Sequence, residues 1–311
     1  MEVEEARVHG TQLQAERSAG GTGGRSGVAG HALNGKRQGR DSYHRGDAVA
    51  SQRSRNRPRP VKSPTIVQES RIGAREQNED RVAHWTSPGA VLMAVADGLG
   101  GHLHGELAAQ LAIDVLGATF AAEARPLIAD PAAFLERSLA AGHAAIVREA
   151  EKQDLPEHPR TVIAACVVQD GHAHWTHVGD CRFYLLRAGE ILVRSRDHTV
   201  VQRLVDEGRI PEEAAGIHPF RNRLLQCLGG YETPRIESVQ SARLMDKDVV
   251  LLCSDGFWGP LSQRQLAQAL LSRPLEQAIP ELVAAAEAGA GFDCDNISVV
   301  AMTWNPPQIE I

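Results

Sequence analysis

An α+β fold, two antiparallel sheets packed together and covered by helices, is the class this 311-residue sequence predicts. Three observations carry it. Apolar, β-rich runs come in blocks instead of alternating with helices. Tight turn dipeptides (Asp170-Gly171, Gly179-Asp180, Ala188-Gly189) part four of those runs. The helical stretches fall in two pairs, one in the middle of the chain and one near its end.

Residues 1–62 come before the first element. They hold Gly20–Gly24, frequent Ser and Gln and the run Arg53–Pro60, with few large apolar residues and no period. Such a segment cannot bury enough surface to offset its ordering entropy, so a disordered basic tail is expected. From Thr65 the texture changes. Thr65–Glu69, Arg81–Thr86 and Ala90–Ala96 read as strands, with a turn at Ser87-Pro88-Gly89. Leu107–Ala122 and Pro131–Lys152 carry Ala and Leu at helical spacing and are parted at Arg125–Asp130. Val162–Gln169, His172–Val178, Arg182–Arg187 and Glu190–Arg194 then read as an antiparallel meander.

Asp197–Gly208 has the pattern of a short helix with its N-cap near Asp197, and Ile210–Gly230, with Pro211 and Pro219, is irregular. Asp248–Ser254 is a further strand, Ser262–Leu271 and Leu275–Ala288 are helices, and Ile297–Trp304 is the closing strand. The folded domain is expected over 63–305, with a short tail at 306–311.

Charge is divided unevenly. Residues 1–62 hold 12 basic and 6 acidic side chains, which leaves 21 basic against 33 acidic in the remainder. An acidic body argues against nucleic acid as a partner, since phosphate contacts need a basic face. The five cysteines are odd in number and widely spaced, without CxxC, so neither a zinc cage nor a disulfide framework is indicated. Cys166, Cys227 and Cys253 lie in apolar runs and are expected to be buried thiols, which suits a reducing, cytoplasmic setting. No apolar stretch approaches the ~18–20 residues of a membrane span. No signal-peptide core opens the sequence.

Four acidic patches carry the chemistry: RxxNED at Arg75–Asp80, DGLGGH at Asp97–His102, SDG at Ser254–Gly256 and DN at Asp295–Asn296. Each follows or opens an apolar run, so each carboxylate is expected at a strand end. Carboxylates so placed can converge on an oxygen-lined pocket that a hard divalent cation would neutralise. Asp-Gly alone is an ordinary turn. The three glycines of DGLGG exceed what a hairpin needs, and they allow carbonyls to approach an ion closely. Asp293 is an alternative to Asp295 as a ligand.

These patches, in this order, resemble the protein phosphatase 2C family of metal-dependent serine/threonine phosphatases, and its bacterial branch most. The resemblance covers about Pro64–Trp304 and includes HVGDCRFYLLRAGE at His177–Glu190, RDHT at Arg196–Thr199, LVDEGRI at Leu204–Ile210 and HPFRNRLLQCLGG at His218–Gly230. It implies a four-layer α-β-β-α sandwich holding two divalent cations, Mn²⁺ or Mg²⁺, between the sheets. By motif, Asp97 bridges both metals and Gly98 lends its carbonyl. Asp255 and Asp295 complete one shell, and Glu79 and Asp80 serve the other. Arg75 grips the substrate phosphate, and Asp180 joins Asp255 around a weaker third ion.

The implied reaction is direct attack on phosphoserine or phosphothreonine by a hydroxide shared between the cations, with no covalent phosphoenzyme. The implied partners are phosphorylated proteins and a cognate bacterial serine/threonine kinase in a signalling role, and the chain is expected to be a monomer. Two other readings share the scaffold: a regulatory, phosphopeptide-binding pseudophosphatase, and a hydrolase of small phosphoesters. Loss of Asp97, Asp255 or Asp295 would mark the pseudophosphatase, and all three are present.

The sequence departs from the family pattern in places. Pro159-Arg160-Thr161-Val162 stands where a small Gly-Thr-Thr run is usual, so the cleft floor is expected to change shape. Cys181 replaces a serine. Leu99 stands where eukaryotic members often place a histidine proposed as general acid. His102 and His104 lie nearby and read as surface residues. His172 and His174 share one strand face and His177 the other, which gives no third ligand for zinc. His198 is expected to brace the cleft edge. Gly208–Leu228 resembles the family's mobile flap, whose Arg209, Arg221 and Arg223 could help recognise phosphopeptides.

Overall fold

Two runs that are apolar on both faces, Ala90–Gly98 and Thr161–Gln169, fold as β3 and β4, neighbours at the centre of one sheet. Double-sided burial explains why they read as continuous hydrophobic stretches and not as alternating ones. The computed structural model describes residues 64–99 and 104–305. The expectations for residues 1–62 and 306–311, and for Gly100, Gly101 and His102, lie outside the described residues.

The remaining elements are β1 (Thr65–Arg71), β2 (Arg81–Thr86), α1 (Gly105–Glu123), α2 (Pro131–Lys152), β5 (His172–Val178), β6 (Arg182–Arg187), β7 (Glu190–Arg194), α3 (Val200–Asp206), β8 (Gln240–Arg243), β9 (Val249–Cys253), α4 (Asp255–Trp258), α5 (Gln263–Ser272), α6 (Leu275–Ala290) and β10 (Ile297–Thr303). One sheet runs β2-β3-β4-β5-β8 and the other β1-β10-β9-β6-β7, with every pairing antiparallel.

Three apolar clusters mark the three seams of an α-β-β-α sandwich. Leu92, Ala94 and Ala96 of β3 face Leu116 and Phe120 of α1 and Phe134 and Leu139 of α2. The alternate residues Val91, Met93 and Val95 face the opposing sheet, where they meet Phe183, Val250, Leu252 and Val300. Trp175 of β5 stacks on Phe183 of β6 across this seam, with ring centroids 4.2 Å apart. Leu266, Leu270, Ile279 and Leu282 of α5 and α6 cover the outer face of the second sheet. Caps set two helix starts. Asp130 accepts from the Ala132 and Ala133 amides ahead of α2, and Ser262 and Gln265 form a reciprocal capping box on α5.

The structure corrects several expectations. The four-strand meander is broken, because β5 and β6 belong to different sheets and the chain crosses between them at Gly179-Asp180. Gly179 has φ +99°, and a Cβ there would lie 2.1 Å from Val162, so the crossing needs a glycine. The cap of α3 is Thr199, whose hydroxyl accepts from the Gln202 amide, while Asp197 is held by Arg182. β8 was missed, since QSAR has no apolar run to show it; it pairs with the edge of β5. Cys227 is only partly buried, whereas Cys181 and Cys294 are buried alongside Cys166 and Cys253. One helix, α1, is long and apolar enough for a membrane span, with 19 residues and a hydropathy of 1.2. Eight of its residues are buried, among them Leu116 and Phe120 in the seam with β3 and α2.

Candidate metal centre

Strand alternation aims the acids. Asp97 is the penultimate residue of β3, so it shares the inter-sheet side of Val91, Met93 and Val95. It lies at the end of that apolar seam. Asp80 sits just before β2, Asp255 starts α4 directly after β9, and Asp295 lies two residues before β10. Asp180 is the residue at which the chain changes sheets, which places it at the same end of the sandwich. The expectation that the carboxylates of the four acidic patches stand at strand ends therefore holds.

Glycines let the backbones close around them. A Cβ on Gly256 would fall 2.1 Å from the Asn296 carbonyl oxygen and 3.2 Å from Asp295 Cβ, so the Asp255-Gly256 turn lies directly on the Asp295-Asn296 loop. A Cβ on Gly98 would fall 2.5 Å from the Gly105 carbonyl oxygen, and one on Gly105 would fall 2.1 Å from Glu79 Oε2. The start of α1 is thus packed between the Asp97 and Glu79 loops.

Electrostatics show the convergence most directly. Burial pushes the Asp97 carboxyl well above its ordinary 3.8, and Asp80, Asp255, Asp180 and Asp295 each add repulsion. Asp80 is raised to about 7 by burial, despite a 2.7 Å hydrogen bond from the Ser254 hydroxyl and with Asp255 and Asp295 pushing the same way. Asp255 is raised to about 6, chiefly by burial and then by Asp295, although Asp97 stands within hydrogen-bonding reach. Asp180 is raised by burial and by Asp255 and Asp197, against the pull of Arg182. Glu79 is raised by burial and by Glu106.

Asp80 Oδ1, Asp255 Oδ1 and Glu79 Oε2 are buried without any hydrogen-bond partner. Among the described residues, no three such side chains gather tightly enough to enclose an ion by themselves. The acids lie close enough to repel one another, and a Mg²⁺-like ion among them would complete its shell with water. Orphaned carboxylate oxygens in a buried ring of like charge are the donor set a hard divalent cation requires, so the residues present fit one.

Arg75, half exposed, stands at the mouth with its Nη2 2.7 Å from Asp295 Oδ2. Asp293, the alternative to Asp295, is exposed in a 3-10 turn at Gly291–Asp293. Asn296 is a residue whose role the sequence did not show. Its amide donates to the Ile72 and Gln77 carbonyls and its oxygen accepts from the Glu79 amide, so it clamps the whole Arg75–Asp80 loop. Thr161 likewise donates to the Asp97 carbonyl at 2.7 Å. His198, expected at the cleft edge, braces the crossing between the sheets: its ring accepts from the Gly179 amide, and its own amide donates to the Gly179 carbonyl. His177 is buried against it, with centroids 4.5 Å apart, well away from His172 and His174 in role.

A family model described as protein phosphatase 2C matches residues 67–286. The chain is 37% identical over 226 residues to the serine/threonine protein phosphatase PstP of Mycobacterium tuberculosis, covering 73% of this chain and 42% of that protein. It therefore spans less than half the length of that relative. It is 30% identical over 220 residues to the serine/threonine phosphatase stp of Listeria innocua, covering 70% of this chain and 86% of that one. A crystal structure of the catalytic domain of PstP in complex with two manganese ions matches with a TM-score of 0.66 at 33% identity, over 78% of this chain and 99% of that one.

Proposed function

The chain belongs to the protein phosphatase 2C family, and from that premise we propose that it is a metal-dependent hydrolase of phosphoserine and phosphothreonine in proteins. The observation that carries the reading is the ring of mutually repelling buried carboxylates with unbonded oxygens. Asp97, with the Gly98 carbonyl, would hold a pair of Mn²⁺ or Mg²⁺ ions, since four other aspartates press on its carboxyl. Asp255 and Asp295 would complete one shell, Glu79 and Asp80 would serve the other, and Asp180, which Asp255 repels, would take a weaker third ion. When bound, such ions polarise the phosphoryl group and supply hydroxide near neutral pH.

The chain's own groups do the rest. Arg75 carries a planar fork of which one arm is engaged by Asp295, leaving donors for the phosphoryl oxygens. Asn296 and Ser254 hold Glu79 and Asp80 in place by hydrogen bonds, which limits reorganisation during reaction. No cysteine serves as nucleophile, since burial raises the thiols of Cys166, Cys181 and Cys253 far from the thiolate form. Five free cysteines support a reducing, cytoplasmic setting, and a partner serine/threonine kinase follows from the substrate class. The decisive assay measures release of phosphate from a phosphothreonine peptide and from p-nitrophenyl phosphate, with and without Mn²⁺. Turnover that needs Mn²⁺ and disappears in Asp97→Ala supports the proposal, and turnover equal to that of the variant ends it. A higher kcat/KM for the phosphopeptide than for free phosphoserine separates a protein phosphatase from a small-phosphoester hydrolase.

A further inference from the structure

One cation at this cleft has no part in the site described above. Arg160 follows Pro159 in the stretch that replaces the family's small residues. Its carbonyl accepts from the Leu99 amide at 3.0 Å, so it continues β4 directly opposite the residue after Asp97-Gly98. Alternation along β4 sends Val162, Ala164 and Cys166 into the seam between the sheets, and Ile163, Ala165 and Val167 toward the helices. Position 160 is in phase with Val162, and Val162 is the register partner of Asp97. The Arg160 side chain therefore leaves the sheet on the side of Asp97, on the wall of the cleft.

Its other neighbour is the segment returning from the flap. Thr161 and Leu228 exchange backbone hydrogen bonds of 3.2 and 2.8 Å. The Arg160 guanidinium lies near enough to Cys227 to pull its thiol down against the upward push of burial. Arg160 Nε is buried and has no hydrogen-bond partner. No ion pair holds this guanidinium among the described residues, although the cleft is lined with carboxylates. An unbonded buried donor is destabilising. A carboxylate that paired with the accessible part of this guanidinium would give the charge a partner.

Building on the phosphatase reading, we propose that Arg160 determines specificity by binding an acidic side chain of the substrate next to the phosphorylated residue. Distance selects that group over the phosphoryl itself. Arg160 is two residues outward from the register of Asp97, about 7 Å along the strand, and one peptide residue spans roughly 3.5 Å. An acid one or two residues from the phosphorylated one then reaches the guanidinium while Arg75 and the carboxylate ring take the phosphoryl group.

The test compares two phosphothreonine peptides that differ only in flanking residues, glutamate in one and glutamine in the other, on the full chain with Mn²⁺. The expected result is about a tenfold preference in kcat/KM for the acidic peptide, expressed in KM. In Arg160→Gln that preference falls to within about twofold, and Arg160→Lys restores part of it. No preference in the unmodified chain, or one that survives Arg160→Gln, overturns the proposal. Calorimetry of both peptides without metal gives a readout independent of turnover. If the unmodified chain hydrolyses nothing, the phosphatase reading fails, while the difference in binding still decides the role of Arg160. If Arg160→Gln does not fold, Arg160→Lys against a lysine-flanked peptide asks the same question.

Discussion

Two sets of buried aspartates differ in what surrounds their oxygens. Asp197 is held by Arg182 through a paired contact of 2.8 and 2.7 Å, and Arg182 lies 3.3 Å over the Trp258 ring. Asp248, fully buried, is held by Arg187 in the same fork geometry and also accepts from the Met245 amide. Asp80, Asp97 and Asp255 have no arginine fork and repel one another. The first set is complete within the chain and holds β6 to the segments beside it. The second is held together against its own repulsion, and an external cation would complete it. A buried carboxylate is thus read by its partner. With an arginine fork it is architecture, and with orphan oxygens and like neighbours it is a binding site.

Substitutions at the two sets should therefore have opposite effects. Asp97→Asn is expected to lower kcat by about a thousandfold or more, since it removes the group central to the ring. The same change should raise the thermal midpoint of the metal-free protein by relieving repulsion from Asp80, Asp180 and Asp255. Asp248→Asn should do the reverse, with stability falling by about 3 kcal/mol as Arg187 loses its partner, and chemistry in the surviving folded fraction retained. Denaturant melts and single-turnover assays on both variants check this. A destabilised Asp97→Asn or a stabilised Asp248→Asn would erase the distinction.

A smaller effect follows from pH. The folded Asp80 and Asp255 carboxyls, at about 7 and about 6, keep protons that the unfolded chain has lost above its ordinary 3.8. Raising the pH from about 4 through about 7 therefore weakens the metal-free fold, because the unfolded state binds fewer protons across that window. Saturating Mn²⁺ should flatten or invert this slope, since it favours the ionised ring. Melts at a series of pH values, with and without Mn²⁺, measure both slopes. A metal-free stability that rises across the window would contradict the raised carboxyls.

Much of this was legible in the sequence because the signals were local. The double-faced apolar runs at Ala90–Ala96 and Val162–Gln169 showed the central strands, and Pro131 after Asp130 marked the start of α2 within a residue. Asp97, Asp255 and Asp295 were visible because each stands where an apolar strand stops. The break between β5 and β6 was not legible. Gly179-Asp180 looks like any hairpin turn, and only the close approach to Val162 shows that the chain changes sheets there. The clamp by Asn296 was hidden for the same reason, since its three partners lie some 220 residues earlier in the chain. The pairing of Asp197 with Arg182 overrode its local signal as a helix cap.

Calorimetric titration of Mn²⁺ into the full chain, run in buffers that differ in ionisation enthalpy, tests the central claim most directly. The expected result is saturable binding of a pair of ions, with proton release that grows as the pH falls toward 6, and loss of binding in Asp97→Asn. Binding without proton release, or binding that Asp97→Asn leaves unchanged, would show that the carboxylate ring is not what holds the metal.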